Sequence, residues 1–276
     1  MDFFSLHEDI KRFFQEDLGS GDVTSQAIFA PEDMGQATFR AKDAFICAGM
    51  QIAAEVFKCR IGALSYQAVA DGLRVEPGQE VFSCRGPVLE LLQAERVALN
   101  IVQRLCGIAT LTHHFVRQVA DLPVRITDTR KTTPGLRMLE KYAVRVGGGH
   151  NHRLNLADGV MIKDNHIAAC GSIAAAVERV RQFAPHTLKI EVETETLAQV
   201  KECLAARVDI IMLDNMSIAA MTEAVQYIAG QALVEASGGV TLENVRQVAE
   251  TGVDIISIGA LTHSAPASDI SMELTT

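Results

Sequence analysis

The stretch DIIMLDNMSIAAMTEAVQYIAGQALVEASGGVTLENVRQVAETGVDIISIGA, residues 209–260, decides the fold class. Three short apolar runs in it are separated by two segments of helical length. Runs that are apolar on both faces suit parallel strands covered by helices, and strands alternating with helices are βα units. Ser217 and Thr241 stand where the two helices should be capped, and Gly230 and Gly252 where they should stop.

Working outward, VRITDTR, GVMIKDN and LKIEVET repeat the pattern from Pro123 onward, so six units follow one another. Six such units form a barrel or a doubly wound sheet, and a barrel is the expectation. The region before them has a different texture. A helical FSLHEDIKRFFQEDL is followed, between Gly35 and Leu92, by short strands with Gly and Pro turns. Helical spacing of Val97, Ile101, Leu105, Ile108 and Leu111 then predicts one or two helices leading out of the first region, with a boundary near Gly107. The expected division is an N-terminal domain over 1–107, a barrel over 108–266, and a tail over 267–276 that packs back on the N-terminal domain.

Composition bounds the function. The chain has 276 residues, 48% of them hydrophobic, and a formal net charge of −9. An acidic chain whose basic residues carry no interleaved aromatics argues against nucleic acid or an anionic membrane as partner, so any bound anion should be small. The N-terminal segment mixes acids and bases among its apolar residues, unlike a signal peptide or a membrane span, and the expected location is the cytoplasm. Six scattered cysteines, Cys47, Cys59, Cys84, Cys106, Cys170 and Cys203, read as free thiols.

Chemistry collects at one end of the barrel units. Arg130 with Lys131, Lys163, Glu191 with Glu193, Asp214, Ser237 with Gly238 and Gly239, and then Gly259 each stand at or just after an apolar run. In α/β barrels that end carries the active site. Residues 125–166 hold eight Lys and Arg against four acids, leaving this segment at +4 and the rest of the chain at −13. Lys141 and Arg145 are assigned to a solvated helix face. Arg130, Lys131, His152, Arg153 and Lys163 lie in loops or at strand ends and can converge on a small polyanion, with Arg suited to carboxylate or phosphate oxygens. The glycines of EASGG and SIGA, on the last two units, offer backbone N–H groups for a phosphate. Glu193 and Asp214 stand between the two anion sites. Carboxylates there suit sugar hydroxyls, Mg²⁺ or a developing positive charge, or else serve as ion-pair partners of the basic cluster. A Schiff-base aldolase using Lys163 and a non-enzymatic polyanion binder are the competing readings; the first leaves Arg130, Lys131 and Arg153 unexplained, and the second needs no acidic pair.

Taken in order, EDLGSGDVTS, ERVALN, GIAT, DTRKTTPGLRMLEKYAVRVGGGHNHR, IKDNH, EVE, LDN, EASGGVTLENV and ISIGALTHSAPASDIS resemble the quinolinate phosphoribosyltransferase family over nearly the whole chain, from about Glu16 to Ser271. The resemblance implies an N-terminal α/β sandwich and an open α/β barrel of parallel βα units. It also implies a homodimer with shared active sites and the joining of quinolinate to phosphoribosyl pyrophosphate with loss of CO₂ and pyrophosphate. Carried over residue by residue, it assigns the quinolinate carboxylates to Arg130, His152, Arg153 and Lys163, beside Thr129, with Arg96 supplied by the neighbouring subunit. Lys131 faces pyrophosphate or quinolinate. Glu193 and Asp214 handle ribose hydroxyls and Mg²⁺, directly or through substrate or water, while Ser237, Gly238, Gly239 and Gly259 bind phosphate. His150 receives no role, and the division of labour between Glu191 and Glu193 stays open. A related phosphoribosyltransferase acting on another acid, such as nicotinate, is the alternative within this resemblance.

Overall fold

Alternating burial along the N-terminal runs produces an antiparallel sheet, and the later both-face apolar runs produce a parallel one. The computed structural model describes residues 3–276. In chain order its first elements are α1 (Phe3–Leu18), α2 (Val23–Ile28), β1 (Met34–Ala41), β2 (Phe45–Ile46), α3 (Met50–Ile61), β3 (Tyr66–Ala68), β4 (Arg74–Val75), β5 (Glu80–Pro87) and α4 (Val88–Gln118). Then come β6 (Arg125–Thr127), α5 (Arg137–Val146), β7 (Val160–Ile162), α6 (Asp164–Cys170), α7 (Ile173–Phe183), β8 (Ile190–Thr194) and α8 (Leu197–Ala205). The last are β9 (Ile210–Asp214), α9 (Ile218–Ile228), β10 (Leu233–Ser237), α10 (Val245–Glu250), β11 (Ile255–Ser257), α11 (Ala260–His263) and β12 (Ile270–Thr275).

By its contacts the chain forms two units. The first comprises the residues up to His113, Thr133–Gly148 and Ser264–Thr276; the second comprises His114–Thr132 and Gly149–His263. In the first, the strand order is β12-β1-β5-β3, all antiparallel, with the C-terminal strand paired to β1 from Gln36↔Thr275 to Ala41↔Ile270. Phe39 and Phe82, cross-strand partners, meet Phe57 of α3 with ring centroids 5.2 to 5.9 Å apart, all three fully buried. Such aromatic clusters supply much of a core's apolar burial. The helical spacing around Gly107 resolves as one unbroken helix, α4. On α5 the Lys141 expectation is corrected. Arg145 is exposed, but Lys141 is only 3% exposed, because α5 buries Leu139, Glu140, Ala143 and Val144 across a wide face. The buried Glu140 is matched by Arg104, Nε to Oε1 2.8 Å.

The second unit is the barrel. Its parallel strands run β6-β11-β10-β9-β8-β7, and a parallel bridge between Thr127 and His150 adds a further position beside β6. Among the described residues no ladder joins the His150 segment to β7, so the barrel is open there. Ser172, Thr196 and Ser217 cap α7, α8 and α9 by accepting from backbone N–H groups three residues on. Thr241 does not cap α10. That helix starts later, at Val245, and residue 241 instead donates its N–H to the Asn244 side chain, 2.8 Å away, in a preceding turn.

Candidate active site

The barrel residues singled out by their place after an apolar run lie at the C-terminal end of a strand or in the loop beyond it, except Glu191, which stands near the start of β8 and deeper in the barrel. Thr129, Arg130 and Lys131 follow β6, Lys163 follows β7, and Glu191 and Glu193 lie on β8. Asp214 and Ser237 end β9 and β10, and Gly259 follows β11. Arg130, Arg153 and Lys163 line one open groove along β7 and α7, together with Met161, Phe183 and Leu188.

Asp128, to which the sequence assigned no role, organises the basic side of the site. It is completely buried at the end of β6. Its carboxylate accepts from Asn151 Nδ2 at 2.6 Å and from the His152 N–H at 2.9 Å. The two basic loops are thereby joined by charge-assisted bonds. Arg153 is half-buried, donating Nη1–H to the Gly159 carbonyl at 3.0 Å and approaching Met161 Sδ with Nη2 at 3.6 Å. Burial, and then the like charge of Arg130, pull its guanidinium below the ordinary arginine range.

His152 sits deeper. Its Nε2 is 3.2 Å from Glu191 Oε2 and 3.5 Å from Glu235 Oε2, and its Nδ1 accepts the Arg153 N–H at 2.8 Å. Burial alone would lower its pKa, but hydrogen bonds and charges from the two carboxylates reverse this and raise it to about 10. Burial also raises the Glu191 carboxyl, opposed by the His152 hydrogen bond and reinforced by the charge of Glu235. The N–H aimed at Nδ1 needs a lone pair there, which selects a neutral Nε2–H ring beside one protonated carboxyl. That state has the same net charge as an imidazolium between two carboxylates, so the three groups titrate as one unit. These three ligand atoms lie within 4.8 Å of one another, a spacing that could hold a cation. Contact of either His152 ring nitrogen with a substrate would require one of these bonds to open.

On the acidic side, Lys163 Nζ donates to Glu193 Oε2. The residue expected to take a carboxylate and the one expected to face ribose are thus already paired. Asp214 Oδ2 accepts from Asn215 Nδ2 at 2.8 Å. Asn215 also explains Gly238: with φ +89°, a Cβ there would lie 2.2 Å from Asn215 Oδ1. Gly259 plays a comparable part for Lys131, since an added Cβ would meet the lysine stem at 2.9 Å. The Thr262 hydroxyl donates to the Lys131 carbonyl at 2.8 Å, and Thr129 Oγ1 accepts the Lys131 N–H at 3.0 Å. Arg96 belongs to the other unit, on α4, with its side chain 56% exposed and 3.7 Å from Glu95.

Glu235, Asn215 and Asp128 are the residues that sequence reasoning passed over. The acid in LVEASGG, the Asp of DTR and the Asn of LDN were signals at hand, but each looked like an ordinary polar neighbour.

With this geometry in place, the similarity of the chain to known proteins is decisive. Residues 22–106 match the quinolinate phosphoribosyl transferase N-terminal domain and residues 108–273 its C-terminal domain. The chain belongs to the quinolinate phosphoribosyltransferase family. A relative from Bacillus subtilis, described as a probable nicotinate-nucleotide pyrophosphorylase [carboxylating], is 47% identical over 278 residues, covering 100% of this chain and 95% of its own. A tobacco (Nicotiana tabacum) relative described as quinolinate phosphoribosyltransferase [decarboxylating] 2b, mitochondrial, is 41% identical over 295 residues, covering 99% of this chain and 83% of its own. The crystal structure of NadC from Streptococcus pyogenes superposes with a TM-score of 0.96 at 42% identity, covering 100% of this chain and 98% of that one. Among the described residues no helix is long and apolar enough to cross a membrane.

Proposed function

We propose that this chain transfers the phosphoribosyl group of phosphoribosyl pyrophosphate to quinolinate, with decarboxylation, to give nicotinate mononucleotide, CO₂ and pyrophosphate in de novo NAD biosynthesis. The observation that carries this reading is the shared groove of Arg130, Arg153 and Lys163 beside the acids of β8 and β9, in a chain of this family. Three cations around one groove suit a small dicarboxylate. The guanidinium of Arg153 is prealigned by Gly159, so little side-chain freedom is lost when it binds. Arrival of a quinolinate carboxylate draws Lys163 from Glu193 and frees that acid to face the ribose.

In the first step the bond from C1′ to pyrophosphate breaks, and its electron pair leaves with the pyrophosphate. Glu193 and Asp214 stabilise the positive charge that develops on the ribose. The pyridine nitrogen then places its lone pair on C1′. Its ring, now cationic, accepts the electrons released when the adjacent C2–carboxylate bond breaks, CO₂ departs, and C2 takes up a proton. Ser237, Gly238, Gly239 and Gly259 receive the phosphate, Lys131 the leaving group, and Thr129 holds the Lys131 main chain. Glu193 and Asp214 also fit Mg²⁺, being carboxylates at adjacent strand ends, one of them with an oxygen held by an amide. These two carboxylates would hold the ion, which would supply positive charge to neutralise the diphosphate.

The working form in this reading is a homodimer in which Arg96 reaches the neighbour's groove. The exposure of Leu156 (70%) and Phe183 (93%), both lining that groove, supports an apolar partner surface. Incubation of the pure protein with quinolinate, phosphoribosyl pyrophosphate and Mg²⁺ should yield nicotinate mononucleotide; turnover of nicotinate in its place would overturn the substrate assignment. Arg96→Ala and Lys163→Ala dimers should each be nearly inactive, yet after subunit exchange about a quarter of parental activity should return, because half the dimers are hybrids with one intact site. No recovery, with exchange shown by mass, returns Arg96 to the surface.

A further inference from the structure

Glu191 and Glu235 stand out because the fold alone does not call for them. They occupy the barrel interior at 4% and 1% exposure, and each leaves its Oε1 without a hydrogen-bond partner. Two apolar side chains would fill the same space without the cost of removing two carboxylates from water. What the pair does hold is His152 Nε2, at 3.2 and 3.5 Å from two different strands, β8 and β10. The opposite ring nitrogen holds the main-chain N–H of Arg153, and the His152 N–H is itself held by Asp128. A rigid imidazole thus links the barrel floor to the backbone that presents the Arg153 guanidinium.

We propose that Glu191 and Glu235 are positioning residues for quinolinate binding that act through His152 to fix the main chain of Arg153. This rests on the phosphoribosyl transfer to quinolinate proposed above. The two glutamates touch no substrate; they set where Arg153 sits. It also separates the roles of the two β8 acids: Glu193 faces the reacting ribose, while Glu191, one residue pair deeper on the same face, supports the arginine. Because the glutamates hold one end of the ring and Arg153 the other, their loss should cost quinolinate affinity and leave the diphosphate side of the site unaffected.

The test is a mutant cycle in the full-length protein, with folding checked by thermal unfolding. Replacing both glutamates by methionine should raise KM for quinolinate about tenfold or more, and leave KM for phosphoribosyl pyrophosphate within about twofold. Glutamine at both positions still offers a carbonyl to Nε2–H and should return KM for quinolinate to within about threefold of the parent. Added to His152→Ala, the two methionines should cost less than about twofold more, since the residue through which they act is gone. If the double methionine variant fails to fold, Glu235→Met alone serves, because His152 keeps Glu191 as its partner. An unchanged KM for quinolinate, an equal rise in both KM values, no rescue by glutamine, or losses that multiply with His152→Ala would each overturn the proposal. A parent protein inactive on quinolinate would instead sink the proposed reaction, so the two failures are told apart.

Discussion

The aromatic cluster of the first unit and the interior of the barrel bury different things. In the first, Phe39, Phe57 and Phe82 fill the space beneath an antiparallel sheet with apolar rings alone. In the barrel, Glu191, Glu235, Thr127 and Ser257 are all buried, and each carries a polar oxygen without a hydrogen-bond partner. Apolar burial stabilises in proportion to area removed from water, whereas buried carboxylates cost free energy unless well paired. The difference teaches that the aromatic cluster serves stability, whereas the barrel interior gives up stability to hold the His152 ring in place.

The largest effect should come from the aromatic core. Phe82→Ala should lower unfolding free energy by about 3–5 kcal/mol, measured by denaturant titration, while activity per folded molecule stays near that of the parent. A variant that is stable but inactive would break the comparison. Next, Arg153→Ala should do the reverse, losing charge-assisted bonds worth roughly 1.5–3 kcal/mol, or about ten- to a hundredfold in kcat/KM, with little change in melting temperature. Arg153→Lys should not restore it, since a point charge does not replace a planar fork; full activity of that variant would remove the geometric argument.

A smaller effect lies in the pH dependence of stability. The folded state keeps the proton assigned to His152 up to about 10, against an ordinary value of 6.5. Between those values the folded protein binds more protons than the unfolded chain, so this contribution is fully present below about 6.5 and is lost as pH rises toward about 10. Stability of the parent should therefore fall across that window and His152→Gln should flatten the slope; parallel curves for the two would show that the triad does not titrate there. The mildest test uses the thiols. Burial pushes Cys47, Cys84 and Cys203 up to about 12, and Cys106 is also raised by burial. Alkylation of the native protein near neutral pH should reach Cys59 and Cys170 first, the only two cysteines that are not buried, and mass spectrometry would show the other four labelled only on unfolding.

Much of the barrel was legible because its information is local. A both-face apolar run, a capping Ser217 and a stop at Gly230 each act within a few residues, so the βα repeat, the strand ends and the polar groups standing there follow from the chain itself. Motifs as long as DTRKTTPGLR likewise carry the family within one stretch. Where local rules competed the reading slipped. Thr241 looks like a cap, but the next turn is taken by Asn244. Lys141 looks solvated, but α5 is covered on more than one face.

What only the tertiary structure decided is which distant residues meet. Nothing in the spacing of Glu191, Glu235 and His152 indicates a common contact, since strands β8 and β10 are separated by β9, and the His152 loop follows the single bridge beside β6 at the other end of the sheet from β7. The same holds for Asn215 against Gly238, and for the pairing of Lys163 with Glu193. Period and capping are properties of a single segment; a buried charge acquires its partner, and so its protonation and its role, only when the folded arrangement of strands brings separate segments within a few ångströms.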